Sequence, residues 1–177
     1  MTVPEILAWL ERRGTKRNRE GMARYAIVAP KVFGVSVGEL RDLGKRLGRD
    51  QKLAEADASR KGGAYAQAID QYETFLKDYP RHAQHSLARV DLALVRIRMP
   101  TEANDFPAAL TAAENELKSV EDEESFNDQR GDIAALLPQI AQGLANGAEK
   151  ADPTSDDAKK FTDLAIKALA LCNNAAY

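Results

Sequence analysis

The sequence predicts an all-α fold: an α-solenoid of antiparallel helix hairpins stacked side by side. Three observations predict it. Apolar residues recur at i, i+3, i+4 and i+7 in segment after segment, the period of a helix with one buried face. A helical pattern that begins at Tyr65 returns at Phe106, 41 residues later, and a returning pattern marks stacked units. Aromatic residues make up only 6% of the chain against 44% hydrophobic residues. The core is therefore aliphatic and alanine-rich, which suits close helix packing better than a β-sandwich.

The first fifty residues hold two helices. Thr2 and Glu5 have capping-box spacing, in which each side chain satisfies a backbone N–H at a helix start. Pro4 sits in the first turn, where its missing N–H costs little. Val3, Ile6, Leu7 and Leu10 then share one face, and Gly14 is the stop. A second capping box, Ser36 with Glu39, leads into Leu40, Leu43 and Leu47, with Gly48 as the predicted end.

Charge divides the chain at the same place. Residues 1–50 hold 11 Lys/Arg and 6 Asp/Glu, whereas residues 51–177 hold 14 Lys/Arg and 21 Asp/Glu. A balance of +5 followed by −7 supports a boundary near "LGRDQKLAEAD".

The segment "NREGMARYAIVAPKVFGVSVGELRDLGKRLGRD" resembles the opening of the DNA-alkylation-repair family of HEAT-like-repeat glycosylases. The resemblance covers residues 2–50 and rests on Gly21-Met22-Ala23-Arg24-Tyr25, Gly34-Val35-Ser36, Leu40-Arg41 and Gly48-Arg49-Asp50. It implies a helical solenoid that holds duplex DNA on a basic face and releases alkylated purines. The chain departs from that family at Gln51-Lys52-Leu53-Ala54, where members continue with a histidine, a Leu-Trp and a His-Glu-Ala-Arg segment. No catalytic residue carries over, so glycosylase chemistry is not expected. What the resemblance leaves is a set of phosphate contacts: Arg12, Arg13, Lys16, Arg17, Arg19, Arg24, Arg41, Lys45 and Arg46. Basic clusters neutralise phosphates and bind in a salt-dependent way. A solvated helix surface is the plainer reading, because Glu11, Glu20, Glu39 and Asp42 stand among them.

Beyond the boundary, "GAYAQAIDQYETFLKDYP" reads as a turn at Gly63, a helix from about Tyr65 to Tyr79, and a stop at Pro80. Tyr65, Ala68, Ile69, Tyr72, Phe75 and Leu76 share a face. The order of small residue, aromatic, bulky residue and proline at Ala68, Tyr72, Phe75 and Pro80 resembles the second helix of a tetratricopeptide repeat. The first helix of that repeat falls at about residues 50–61, without the family's signature residues. "FPAALTAAENEL" repeats the pattern, with Ala109-Leu110 answering Ala68-Ile69 and Leu117 answering Leu76. Between the two lies a helix from about Ala83 to Arg98, with Leu87, Val90, Leu94 and Ile97 on one face. The interval exceeds the usual repeat of about 34 residues, and an extended loop at "MPTEAND" accounts for the surplus. A third pair is expected from Ile133, Leu136, Leu137, Ile140 and Leu144, then Phe161, Leu164, Ala165, Ala168, Leu169 and Cys172. Pro138 should kink or split the first of these helices. The closing "ALCNNAAY" lacks a polar capping helix, so the array reads as truncated or as needing a partner.

The sequence thus reads as a composite, residues 1–50 HEAT-like and residues 51–177 tetratricopeptide-like. Its expected role is a non-catalytic module that binds a protein or peptide. DNA binding is the alternative. No cofactor, metal or membrane is expected. His82 and His85 have no cysteine or well-placed carboxylate near them in sequence to complete a metal site. Glu121 to Glu124 read as a solvated loop, and Cys172 as a small hydrophobe. No run of 18 apolar residues is present, and a single cysteine fits a cytoplasmic setting.

Overall fold

The computed structural model describes residues 37–174 and Tyr177, with side chains from residue 48 onward. Its described residues form six α-helices and one 3₁₀ turn, with no strand. The chain divides into two compact units, Met1–Gln51 and Lys52–Tyr177. The expected helix at residues 2–13 lies outside the described residues.

Helix α1 runs from Val37 to Lys61. It corrects the expectation that Gly48 ends a helix. A glycine inside a helix costs only about 1 kcal/mol relative to alanine, and Leu53, Ala54, Glu55 and Ala56 beyond it are strong helix formers. The stop comes at Gly63 instead, which has φ +76°. The Ala64 N–H donates to Ser59 O and the Gly63 N–H to Arg60 O. These are the two bonds of a Schellman motif, which requires a left-handed residue at the position of Gly63.

Helix α2 spans Tyr65–Asp78, and its last turn closes as the Tyr79 N–H donates to Phe75 O. Helix α3 spans His85–Glu102. It runs through Met99, Pro100 and Thr101, so the expected loop at "MPTEAND" shrinks to a tight turn. The Thr101 hydroxyl donates to Ile97 O, and Asn104 takes a left-handed φ of 60°. Helix α4 spans Phe106–Val120, and Asp105 caps it by accepting from the Ala108 N–H at 3.2 Å. Helix α5 spans Arg130–Lys150. Pro138 does not split it. Leu136, Leu137, Ile140 and Ala141 on both sides of the proline are buried, so both halves belong to one core. Helix α6 spans Asp156–Cys172, with Ser155 as its cap.

From α2 onward each helix packs on the next, and α3 also meets α5 while α4 meets α6. Among the described residues two apolar clusters result. Leu53 and Ala56 of α1, Ala68, Tyr72 and Phe75 of α2, and Ala88, Leu92 and Val95 of α3 form one. Val90, Ala93, Leu94 and Ile97 of α3 join residues of α4, α5 and α6 in the other. Helix α3 therefore faces both clusters, which is why "ARVDLALV" is apolar nearly all round. The sequence expectation placed one apolar face on this helix; Ala88, Leu92 and Val95 form a second. Arg96 of α3 ties its neighbours from outside, 2.7 Å from Glu73 of α2 and 3.1 Å from Glu116 of α4. Arg89 of α3 pairs with Glu123, in the turn that follows α4, at 2.6 Å.

Close approach also fixes two glycines of α5. A Cβ on Gly143 would lie 2.4 Å from the ring of Phe106, and one on Gly147 would lie 3.0 Å from that of Phe161. Gly131 has open space around its α-carbon. Gly143→Ala is therefore expected to destabilise the protein by about 1–3 kcal/mol through overpacking, despite alanine's better helix propensity. Gly131→Ala should be neutral or slightly stabilising, and urea unfolding of the two variants beside the parent checks the contrast.

Candidate functional site

The most distinctive polar feature of the Lys52–Tyr177 unit lies where α1, α2, α3 and α5 come together. Asp91 of α3 is 2% exposed. Arg60, in the last turn of α1, places its Nη1 3.5 Å from Asp91 Oδ1 and 3.8 Å from Asp132 Oδ2 of α5. Both are ion pairs rather than hydrogen bonds at these lengths. Asp91 Oδ1 and Arg60 Nε are buried without a hydrogen-bond partner. Beside them the Tyr72 hydroxyl of α2 donates to Asp57 Oδ1 of α1.

Helical spacing explains the assembly. Asp57, Asp91 and Asp132 lie 34 and 41 residues apart, and the second interval equals that between Tyr65 and Phe106. They stand on α1, α3 and α5. Arg60, one turn beyond Asp57, reaches across to the other two helices.

The electrostatics follow from burial and from having one guanidinium among three carboxylates. Burial pushes the Asp91 carboxyl up to about 6; Arg60 opposes the shift, and the charges of Asp57 and Asp132 reinforce it. Burial also raises the Tyr72 hydroxyl, and its hydrogen bond to Asp57 adds to this. Burial works against the charge of Arg60, but the field of Asp91, aided by Tyr72, Asp57 and Asp132, raises its pKa and holds it protonated. Asp91 is thus the group of the cluster that holds its proton above the ordinary carboxylate range.

Other features are chemically plainer. An open cleft of 610 Å³ lies between the α3–α4 turn, α5 and α6, lined by Asn104, Phe106, Asn146, Lys150 and Phe161 among others. It is away from the aspartate cluster. Cys172 packs beside the second core cluster, and burial raises its thiol. His82 stacks edge-on against Phe75 at 5.1 Å. Among the described residues no group of three or more His, Cys, Asp and Glu side chains is placed to hold a metal ion, and no helix is long and apolar enough to cross a membrane.

The residues singled out in the sequence fall into two groups. Ala68, Tyr72 and Phe75 are fully buried, Tyr65 packs against the same cluster, Gly63 forms the turn, and Pro80 is exposed just after α2. They shape the packing of the cluster shared by α1, α2 and α3. Arg12, Arg13, Lys16, Arg17, Arg19 and Arg24 lie outside the described residues, and Arg41, Lys45 and Arg46 lie on α1 with side chains outside them. The sequence reading missed Asp57, Arg60, Asp91 and Asp132. One signal was present: Asp91 and Asp132 stand 41 residues apart, the same interval as Tyr65 and Phe106.

Comparison of the chain with protein-family models, with curated proteins and with solved structures yields no match in any of the three.

The Tyr72–Asp57 bond supplies a direct check on the cluster. Tyr72→Phe removes the hydroxyl that α2 gives to that carboxylate. It is expected to cost about 1–2 kcal/mol, measured as a lower urea midpoint at neutral pH with an unchanged m-value.

Proposed function

We propose that residues 52–177 form a tetratricopeptide-like solenoid that binds a protein or peptide segment along the face made by α1, α3 and α5, without catalysing a reaction. The observation that carries the reading is the packing order. Consecutive helices pair from α2 onward, and alternate helices also meet, α3 with α5 and α4 with α6. Stacked hairpins produce this pattern, because the first helices of successive pairs form one layer and the second helices another. The matching burial of Ala68 and Ala109, 41 residues apart, supports a repeated unit. Solenoids of this kind present an extended surface on one layer, and Ala135 and Gln139 of α5 are exposed where such a surface would run.

The basic balance of residues 1–50 supports a second reading, in which that segment contacts duplex DNA through Arg12, Arg13, Lys16, Arg17, Arg19, Arg24, Arg41, Lys45 and Arg46. Its resemblance to the DNA-alkylation-repair family favours the same ligand, with base release not expected.

Selection of peptides from a random library on the immobilised full chain tests the first reading. Selected peptides should bind with a measurable Kd, and Ala135→Arg with Gln139→Arg should weaken them at least about tenfold. Asn115→Arg, on the exposed side of α4, should leave Kd unchanged. Equal effects from both faces, or no saturable binding, would overturn the reading. Fluorescence anisotropy with a labelled duplex tests the second reading. Binding should weaken steeply with salt, and the absence of retention at low salt would remove it.

A further inference from the structure

We propose that the Arg60–Asp91–Asp132 junction is a pH-sensitive latch: proton uptake by Asp91 tightens the seating of the last turns of α1 against α2 and α3, and proton loss loosens it. The inference does not depend on what the solenoid binds.

The geometry carries it. Asp91 is 2% exposed, and no donor reaches its Oδ1. The cation paired with it, Arg60, stands at 3.5 Å and is shared with Asp132 at 3.8 Å. A buried carboxylate is well compensated only with close, well-directed donors around it; here it has the Arg60 guanidinium at 3.5 Å and the smaller field of Lys61, set against two further carboxylates. The ionisable groups facing it are Asp57, Arg60 and Lys61 from α1, Tyr72 from α2 and Asp132 from α5. The Tyr72 hydroxyl is already given to Asp57, so it does not donate to Asp91.

When the last turns of α1 lift away, water reaches Asp91 and solvates its charge. When they are seated, the charged form is the costly one. The seated state therefore takes up a proton that the open state gives up. The carboxyl moves from an ordinary value of 3.8 to about 6 on burial. The resulting stabilisation is complete below the ordinary value and is lost as pH rises through 6. The direction is opposite to that of a carboxylate held by strong ion pairs, which loosens in acid. The sensitive range lies between the values of 3.8 and about 6 and levels off above the upper one.

The test uses the full chain and follows two readouts across about pH 5 to 8. Carbon-detected NMR follows the aspartate side chains, with Asp91→Asn identifying the Asp91 signal by its loss. Amide hydrogen exchange, corrected for its intrinsic pH dependence, follows opening at Asp57–Lys61 relative to α5. The Asp91 carboxyl should titrate near pH 6. Opening at Asp57–Lys61 should rise about tenfold between pH 5 and pH 8 relative to α5, nearly all of it below pH 7, and Asp91→Asn should flatten that rise. Should Asp91→Asn fail to fold, Arg60→Met supplies the second arm by moving the Asp91 midpoint upward. An Asp91 carboxyl titrating near its ordinary value overturns the latch. So does a rise shared equally by α1 and α5, a rise that persists in Asp91→Asn, or an Asp91 midpoint unmoved by Arg60→Met.

Discussion

Leu92 and Val95 of α3 pack into the cluster shared with α1 and α2, while Val90, Leu94 and Ile97 pack into the cluster shared with α4, α5 and α6. This two-sided burial is the constraint from which the rest of the Lys52–Tyr177 unit follows. A hairpin of two helices buries little apolar surface on its own, and among the described residues α1 and α2 contribute Leu53, Ala56, Ala68, Tyr72 and Phe75 to a closed core. Helix α3 completes that core with its second face and extends the same layer into the larger cluster beyond. Arg96, paired with both Glu73 and Glu116, spans α2, α3 and α4 at the surface. These partly exposed pairs add little energy individually, and apolar burial supplies most of the stabilisation.

The same centrality explains the polar cluster. A helix covered on two sides has few positions where a charge remains in water, and Asp91 is not at one of them. Its carboxyl lies against the last turn of α1, whose Arg60 does not serve Asp91 and Asp132 at hydrogen-bond distance together. Apolar packing fixes where α1, α3 and α5 meet, and the carboxylates accept the resulting geometry. Replacing a buried ion pair by apolar groups is often neutral or stabilising. The cluster is thus not what holds the unit together, and its consequence is sensitivity to protons.

Much of this was legible in the residues, for physical reasons. Tyr65, Ala68, Tyr72 and Phe75 specify the buried face of α2, because their spacing matches a helix and Ala68 admits a close neighbour. The apolar runs of α4, α5 and α6 were equally plain. The misreadings share a cause, which is local signals overridden by packing. Gly48 and Pro138 are helix breakers on propensity alone, yet both stand inside helices. At Pro138 the flanking leucines are held by one core. The loop expected at Met99–Asp105 became a turn of helix because Thr101 is buried and its hydroxyl is satisfied by Ile97 O. Asp91 was hidden for the opposite reason. A lone acidic residue in "ARVDLALV" looks like a solvent-facing position, and only the second apolar face of α3 shows that it is enclosed.

The central claim is that α3 couples the two clusters into one cooperative unit. The most direct measurement is native-state hydrogen exchange at α2 and at α5 in the parent chain, Leu92→Ala and Leu94→Ala. Each substitution should cost about 2–4 kcal/mol. The account predicts that either one lowers protection in α2 and α5 by the same amount, although Leu92 faces the first cluster and Leu94 the second. If Leu92→Ala lowers protection in α2 alone while α5 keeps its parent value, the two clusters are separate folding units and the account is contradicted.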